Sequence, residues 1–152
     1  MNYELVQLEE KKVAGLKIRT SNTDPQMVEE IGAIWQRFYG DGVHASLTGK
    51  KNDKCIGLYS DYENGATGAY DVMVGCEVEA AVAQPELVET KIIAAGNYAK
   101  FIVKGDVKQA IGDFWMKLWG MELDRKFGSD FEEYQPGEDM ANAEIHVYIS
   151  LN

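Results

Sequence analysis

Two stretches of this chain carry the same order of apolar runs, aromatic residues and turns. The first runs from Val13-Ala14-Gly15-Leu16-Lys17-Ile18 through Ile34-Trp35-Gln36-Arg37-Phe38 to Tyr59-Ser60-Asp61-Tyr62-Glu63 and Tyr70-Asp71-Val72-Met73-Val74-Gly75-Cys76. The second runs from Ala95-Gly96-Asn97-Tyr98-Ala99-Lys100-Phe101 through Phe114-Trp115-Met116-Lys117-Leu118 to Phe131-Glu132-Glu133-Tyr134-Gln135 and Ala143-Glu144-Ile145-His146-Val147-Tyr148-Ile149. Each reads strand, helix, strand, strand. A period near half the chain is too long for a solenoid, whose repeats are a few tens of residues. The expected fold is therefore α+β. It is a duplicated β-α-β-β unit with pseudo-twofold symmetry, antiparallel sheets, two helices and a central ligand groove between the halves. A single domain spans 1–152, with halves of about 1–79 and 88–152 and a link at 80–90.

Local signals place the elements. Residues 3–8 and 13–20 read as strands around a turn at Glu9-Glu10-Lys11-Lys12. Asp24-Pro25 reads as a helix start, with Asp24 as N-cap and Pro25 at the first helical position. Met27, Ile31, Ile34, Trp35 and Phe38 form one helical stripe, ended by Gly40 and Gly42. Residues 55–79 read as a hairpin turning at 63–68. Strands follow near 88–94 and 97–104. A second helix is capped by Asp106, with the stripe Val107, Ala110, Ile111, Phe114, Trp115, Leu118 and Met121. Strands at 131–135 and 143–151 flank a turn at 136–142.

Charge excludes one class of partner. The 25 acidic residues against 15 basic ones give a net charge of −10. Nucleic acid binding needs clustered Lys or Arg, so direct binding is not expected, whereas an acidic cleft would steer a cation. No apolar run is long enough to cross a membrane, and no signal peptide opens the chain, so the expected location is the cytoplasm. Cys55 and Cys76 read as buried reduced thiols, and His44 as solvated in a polar loop. No metal, cofactor or familiar catalytic motif is expected.

The aromatic residues carry the functional signal. Trp35, Tyr59, Tyr62, Tyr70, Tyr98, Phe101, Trp115, Trp119, Tyr134 and Tyr148 recur at matched places in the two halves. In the last strand the period of two sets Ala143, Ile145, Val147, Ile149 and Leu151 against the core. Glu144, His146, Tyr148 and Ser150 face the other side, which is either plain solvent or the groove. Glu132 and Tyr134 share a face of their own strand. Carboxylates among aromatic rings suit a lipophilic cation: the rings offer area and cation–π attraction, the carboxylate offers charge. The candidate ligand-binding residues are Trp35, Tyr59, Tyr70, Phe101, Trp115, Trp119, Glu132, Tyr134, His146 and Tyr148. Glu132 is the expected acidic group, with His146 beside it.

The segments Ile93-Ala94-Ala95-Gly96-Asn97-Tyr98-Ala99-Lys100-Phe101, Phe114-Trp115 with Leu118-Trp119, Asp130-Phe131-Glu132-Glu133-Tyr134 and Ala143-Glu144-Ile145-His146-Val147-Tyr148-Ile149 resemble the gyrase-inhibitor-like (GyrI-like) effector-binding domains. Tyr59-Ser60-Asp61-Tyr62-Glu63 most resembles stand-alone members, including those of integron cassettes. The resemblance implies a duplicated β-α-β-β fold with a central groove for amphipathic, often cationic aromatic compounds. It implies drug sensing or sequestration. Control of transcription would need a partner chain, since no helix-turn-helix is read here. Monomer and homodimer both stay open. Many members carry an acidic residue where this chain has His146; Glu132 matches the Glu of the Phe-Glu-x-Tyr segment. Some relatives are similar to hydrolases of electrophilic natural products, and a partner-binding inhibitor role is a further alternative.

Overall fold

In the computed structural model the described residues are all but Met1, Ala66, Gly137, Glu138 and Asp139, with Met140 described in its backbone alone. The expected turn at 136–142 therefore lies partly outside them. The elements are β1 (Glu4–Leu8), β2 (Lys11–Ser21), α1 (Met27–Gly40), the short helix α2 (Val43–Ser46), β3 (Cys55–Ser60), β4 (Ala69–Val78), β5 (Glu89–Ile93), β6 (Gly96–Gly105), α3 (Val107–Trp119), β7 (Ser129–Tyr134) and β8 (Ala143–Ser150). A 3-10 turn at Met140–Asn142 precedes β8. No helix among the described residues is long and apolar enough to cross a membrane.

All eight strands join one antiparallel sheet in the order β1-β6-β8-β7-β3-β4-β2-β5. Exchanging β1, β2, β3 and β4 for β5, β6, β7 and β8 turns this order into its own reverse. The duplication is thus written into the topology, and β3 and β7 are the seam between the halves. The helices repeat as well: Ile34, Trp35 and Phe38 of α1 have the same burial as Phe114, Trp115 and Leu118 of α3, eighty positions on. Asp106 caps α3 as its sequence suggests, its carboxylate accepting from the Gln109 amide at 3.1 Å. Asp24 does not cap α1. It accepts from the Gln26 amide in a local turn, and α1 begins at Met27.

The turn after β1 does not close a hairpin. β1 pairs with β6 and β5 pairs with β2, so each half lends its outer strand to the other. This forces the sheet to curl. β1 and β2 stand six places apart, roughly 29 Å in a flat sheet at about 4.8 Å per strand. The Glu9–Glu10 link between them reaches only ~11 Å. Inside the curl lies a core of Val13, Ile56, Leu58, Met73, Ile93, Tyr98, Phe131 and Tyr148. The two helices cover the outer face, each over its own cluster. Ile34 and Phe38 pack on Ala14, Val74 and Cys76; Phe114 and Leu118 pack on Phe101, Ile145 and Val147. Each such side chain, removed from water, contributes about 1.5–3 kcal/mol.

Gly15 and Gly96, matched in the sequence repeat, are not equivalent. Gly15 lies in mid-strand against Gly75, where a Cβ would fall 1.9 Å from the Val74 carbonyl oxygen. Gly96 opens β6 at φ +154, a conformation only glycine adopts readily. The first is kept for close approach of two strands, the second for backbone conformation.

Candidate ligand-binding site

The seam strands bring the two halves' aromatic residues to one carboxylate. In β3 the outer, helix-covered face carries Cys55, Gly57 and Tyr59. In β7 it carries Glu132 and Tyr134. The register sets Gly57 directly opposite Glu132. A Cβ on Gly57 would stand 3.0 Å from Glu132 Oε1 and 3.5 Å from Trp35 Cζ2, so the carboxylate fills the space that glycine leaves.

Glu132 is 1 % exposed. Tyr134 donates its hydroxyl to Oε1 at 2.7 Å. The Trp115 indole Nε1 donates to Oε2 at 2.7 Å, and the Tyr59 hydroxyl donates to Oε2 at 3.1 Å. All three donors are neutral, and no ion pair among the described residues includes Glu132. Burial pushes its carboxyl above the ordinary range, while the bonds from Tyr134, Trp115 and Tyr59 oppose that rise. Burial first, and the Glu132 charge second, hold the Tyr59 and Tyr134 hydroxyls well above the usual phenol value, so both remain donors.

The rings cross between the halves. Trp35 of α1 meets Tyr134 of β7 edge-on at 5.1 Å, and Trp115 of α3 meets Tyr59 of β3 edge-on at 5.2 Å. The topological exchange converts one pair into the other. At its centre sit Gly57 and Glu132, a matched pair that differs by a charge. The rings close over the carboxylate, so the expected groove is occupied by side chains. Trp35 and Trp115 are only half-buried at the edges of their helical stripes.

Of the ten residues expected from the sequence, Trp35, Tyr59, Trp115, Glu132 and Tyr134 come together here. Tyr70 flanks them, 6.0 Å from the Tyr59 ring, with its hydroxyl donated to Asn22 at 2.7 Å. Phe101 belongs instead to the α3 core, 5.1 Å from Phe114. Trp119 points outward, 51 % exposed. His146 and Tyr148 lie on the opposite face of the sheet. Tyr148 stacks on Phe131 at 4.7 Å inside the curl, and His146 Nε2 sits 2.7 Å from Glu144 Oε2. The expectation that His146 neighbours Glu132 is corrected. Groove and helix-packed core lie on the same side of the sheet, so the alternate residues of β8 turn away from both.

Gly57 was not among the expected residues. Its signal was legible: a glycine inside the strand Cys55-Ile56-Gly57-Leu58-Tyr59 marks a close approach. His44 also departs from expectation. Its ring packs edge-on against Phe38 at 5.5 Å and lies 5.5 Å from Tyr39, rather than in solvent.

Residues 4–151 match the family Cass2, described as integron-associated effector binding protein. The chain belongs to that family. That family is one of effector-binding proteins. The chain is 30 % identical to the transcriptional-regulator-like protein YobU of Bacillus subtilis (strain 168), over 97 % of this chain and 96 % of that one. The crystal structure of the Vibrio cholerae integron cassette protein VCH_CASS2 superposes with a TM-score of 0.73 at 26 % identity, covering 97 % of this chain and 95 % of that one. The structure of SAV2435 bound to tetraphenylphosphonium has a TM-score of 0.84 at 22 % identity, covering 100 % and 94 %, and establishes the shared fold. The GyrI-like resemblance read from the sequence is thereby borne out.

Proposed function

We propose that this Cass2 protein binds amphipathic, cationic aromatic compounds over Glu132, between Trp35, Tyr59, Trp115 and Tyr134, as a sensing or sequestering module. One observation carries the reading: a fully buried carboxylate held by three neutral donors inside an aromatic cage. A buried charge without a counter-charge is costly, and such groups are ordinarily paired. Asp130, two residues earlier, is also fully buried, and Arg125 pairs with it at 2.8 Å. Glu132 has no such partner among the described residues, and a cationic ligand would supply it. Rings around the carboxylate would supply area and cation–π attraction. The tetraphenylphosphonium held by the similarly folded SAV2435 is a compound of that chemistry. The likeness to YobU supports a role in regulation, which would run through a partner chain.

Titration with tetraphenylphosphonium while following tryptophan emission tests this. Binding in the micromolar range or tighter, with emission changed through Trp35 and Trp115, is expected. No binding below millimolar across a panel of aryl cations would end the proposal.

A further inference from the structure

A second cluster lies beside the cage and plays no part in it. Continuing the Ile56–Gly75 register by one residue sets Cys55 against Cys76 on adjacent strands, both on the face covered by α1. The short helix α2 drops His44 onto the same spot, its ring fixed by Phe38 and Tyr39. The ligand atoms of His44, Cys55 and Cys76 all lie within 4.8 Å of one another. Both thiols are free. We infer that these two thiols and one imidazole form a binding site for a soft d10 metal ion, Zn2+ or Cu(I), with a fourth position open toward solvent.

Ligand identity and geometry carry this inference. Two sulfurs and one imidazole nitrogen are the donor set that such ions prefer over hard cations. Around one ion, at about 2.3 Å for sulfur and about 2.0–2.1 Å for nitrogen, these atoms stand roughly 3.5–4 Å apart. The observed spacing needs a contraction of at most about 1.3 Å, within reach of a small χ1 change at each cysteine. The sulfurs are buried and the imidazole is half-buried, so an ion would enter past α2. Surrounding groups act differently on the three: the hydrogen bond with Cys55 and burial hold the Cys76 thiol well above its usual range, whereas the other two are shifted down. Hydrogen bonding from Cys76, then from Tyr39, together with the Lys50 charge brings the Cys55 thiol down to about 6 against the opposing effect of burial. Burial, then the Lys50 charge, shift the imidazole of His44 downward, toward its neutral form. The Tyr39 hydroxyl, 2.9 Å from Cys55 Sγ, is placed to hold the bound sulfur in orientation. Opposed cysteines on neighbouring strands also stand within the Cα range of a disulfide, so oxidation would compete with the metal.

The test uses the reduced, metal-free full chain under anaerobic conditions. It is titrated with Co2+ and then Zn2+, and in a separate arm with Cu(I). One ion per chain is expected, with a thiolate-to-cobalt charge-transfer absorption that Zn2+ displaces, and protection of both thiols from a thiol reagent while metal is bound. Cys55→Ala and Cys76→Ala should abolish the absorption. His44→Gln, at a half-buried position in a short helix, should weaken affinity at least tenfold with the circular dichroism unchanged. Retention of Zn2+ against a chelator assigns the open position to water, and preferential retention of Cu(I) assigns a three-coordinate site; either outcome supports the inference. Fully reactive thiols in the presence of metal, an absorption that survives all three substitutions, or a Cys55–Cys76 disulfide with no retained ion would overturn it.

Discussion

Gly57 and Glu132 face one another across the seam of the two halves, and the side chain that Gly57 lacks is the space the Glu132 carboxylate fills. A near-symmetric fold thus carries an asymmetric centre: one half contributes a charge and the other contributes room for it. The donors around that centre come from both halves, with Tyr59 from β3, Tyr134 from β7 and Trp115 from α3.

Filling that room should displace the charge. In Gly57→Val the added atoms would press on Glu132 Oε1, which the Tyr134 hydroxyl pins at 2.7 Å, and on the Trp35 ring. Overpacking of this kind costs about 1–3 kcal/mol. Urea denaturation should record that loss, and cation titration a weaker complex. A valine that changes neither would mean the space is not reserved for the carboxylate.

Removing donors should cost stability in a pH-dependent way. Tyr134→Phe and Trp115→Phe each take one hydrogen bond from a buried carboxylate, worth about 1–3 kcal/mol. These bonds favour the ionised form. Denaturation midpoints should therefore fall more at pH 8 than at pH 5. A loss independent of pH would mean that the rings matter only for packing.

Glu132 should also leave a signature in the pH dependence of folding. Its carboxyl is raised by burial, so between the ordinary carboxylate value and its folded value the folded state binds more protons than the unfolded chain. Its contribution then favours folding at low pH and is lost as pH rises through the folded value. Glu132→Gln should be flatter over that window and gain on the wild type toward high pH, as measured by thermal unfolding across a pH series. A constant offset between the two proteins would show that the carboxyl titrates alike folded and unfolded.

His146 should be a bystander. It lies on the far face of the sheet against Glu144, holding that carboxyl below its usual range. His146→Gln should leave cation affinity within about twofold at every pH between 5 and 8, since the residue lies across the sheet from the Glu132 cage. A larger change, measured by calorimetric titration, would place His146 in contact with the ligand after all.

Much of this was legible in the sequence, and the remainder has identifiable physical reasons. The repeat, both helical stripes and the Asp106 cap depend on local spacing, which is read directly. Glu132 with Tyr134, and Trp35 with Trp115, were legible because period and repeat agreed on them. The exchange of β1 and β5 was not, since strand pairing is non-local and the turn at Glu9-Glu10 looks like any hairpin turn. The face of β8 was misassigned for a related reason. Alternation separates two faces but does not say which one the ligand shares, and here core and site lie on the same side. Closure of the rings over Glu132 depends on side-chain packing in three dimensions, which no pattern along the chain encodes.

The central claim is that Glu132 is a counter-charge awaiting a cation. Calorimetric titration of wild type and Glu132→Gln, each with tetraphenylphosphonium and with neutral triphenylphosphine oxide, tests it most directly. Selectivity for the cation should fall at least tenfold in the Gln protein, about 1.4 kcal/mol, while affinity for the neutral compound stays within about twofold. Equal losses for both compounds, or no loss for the cation, would contradict the account.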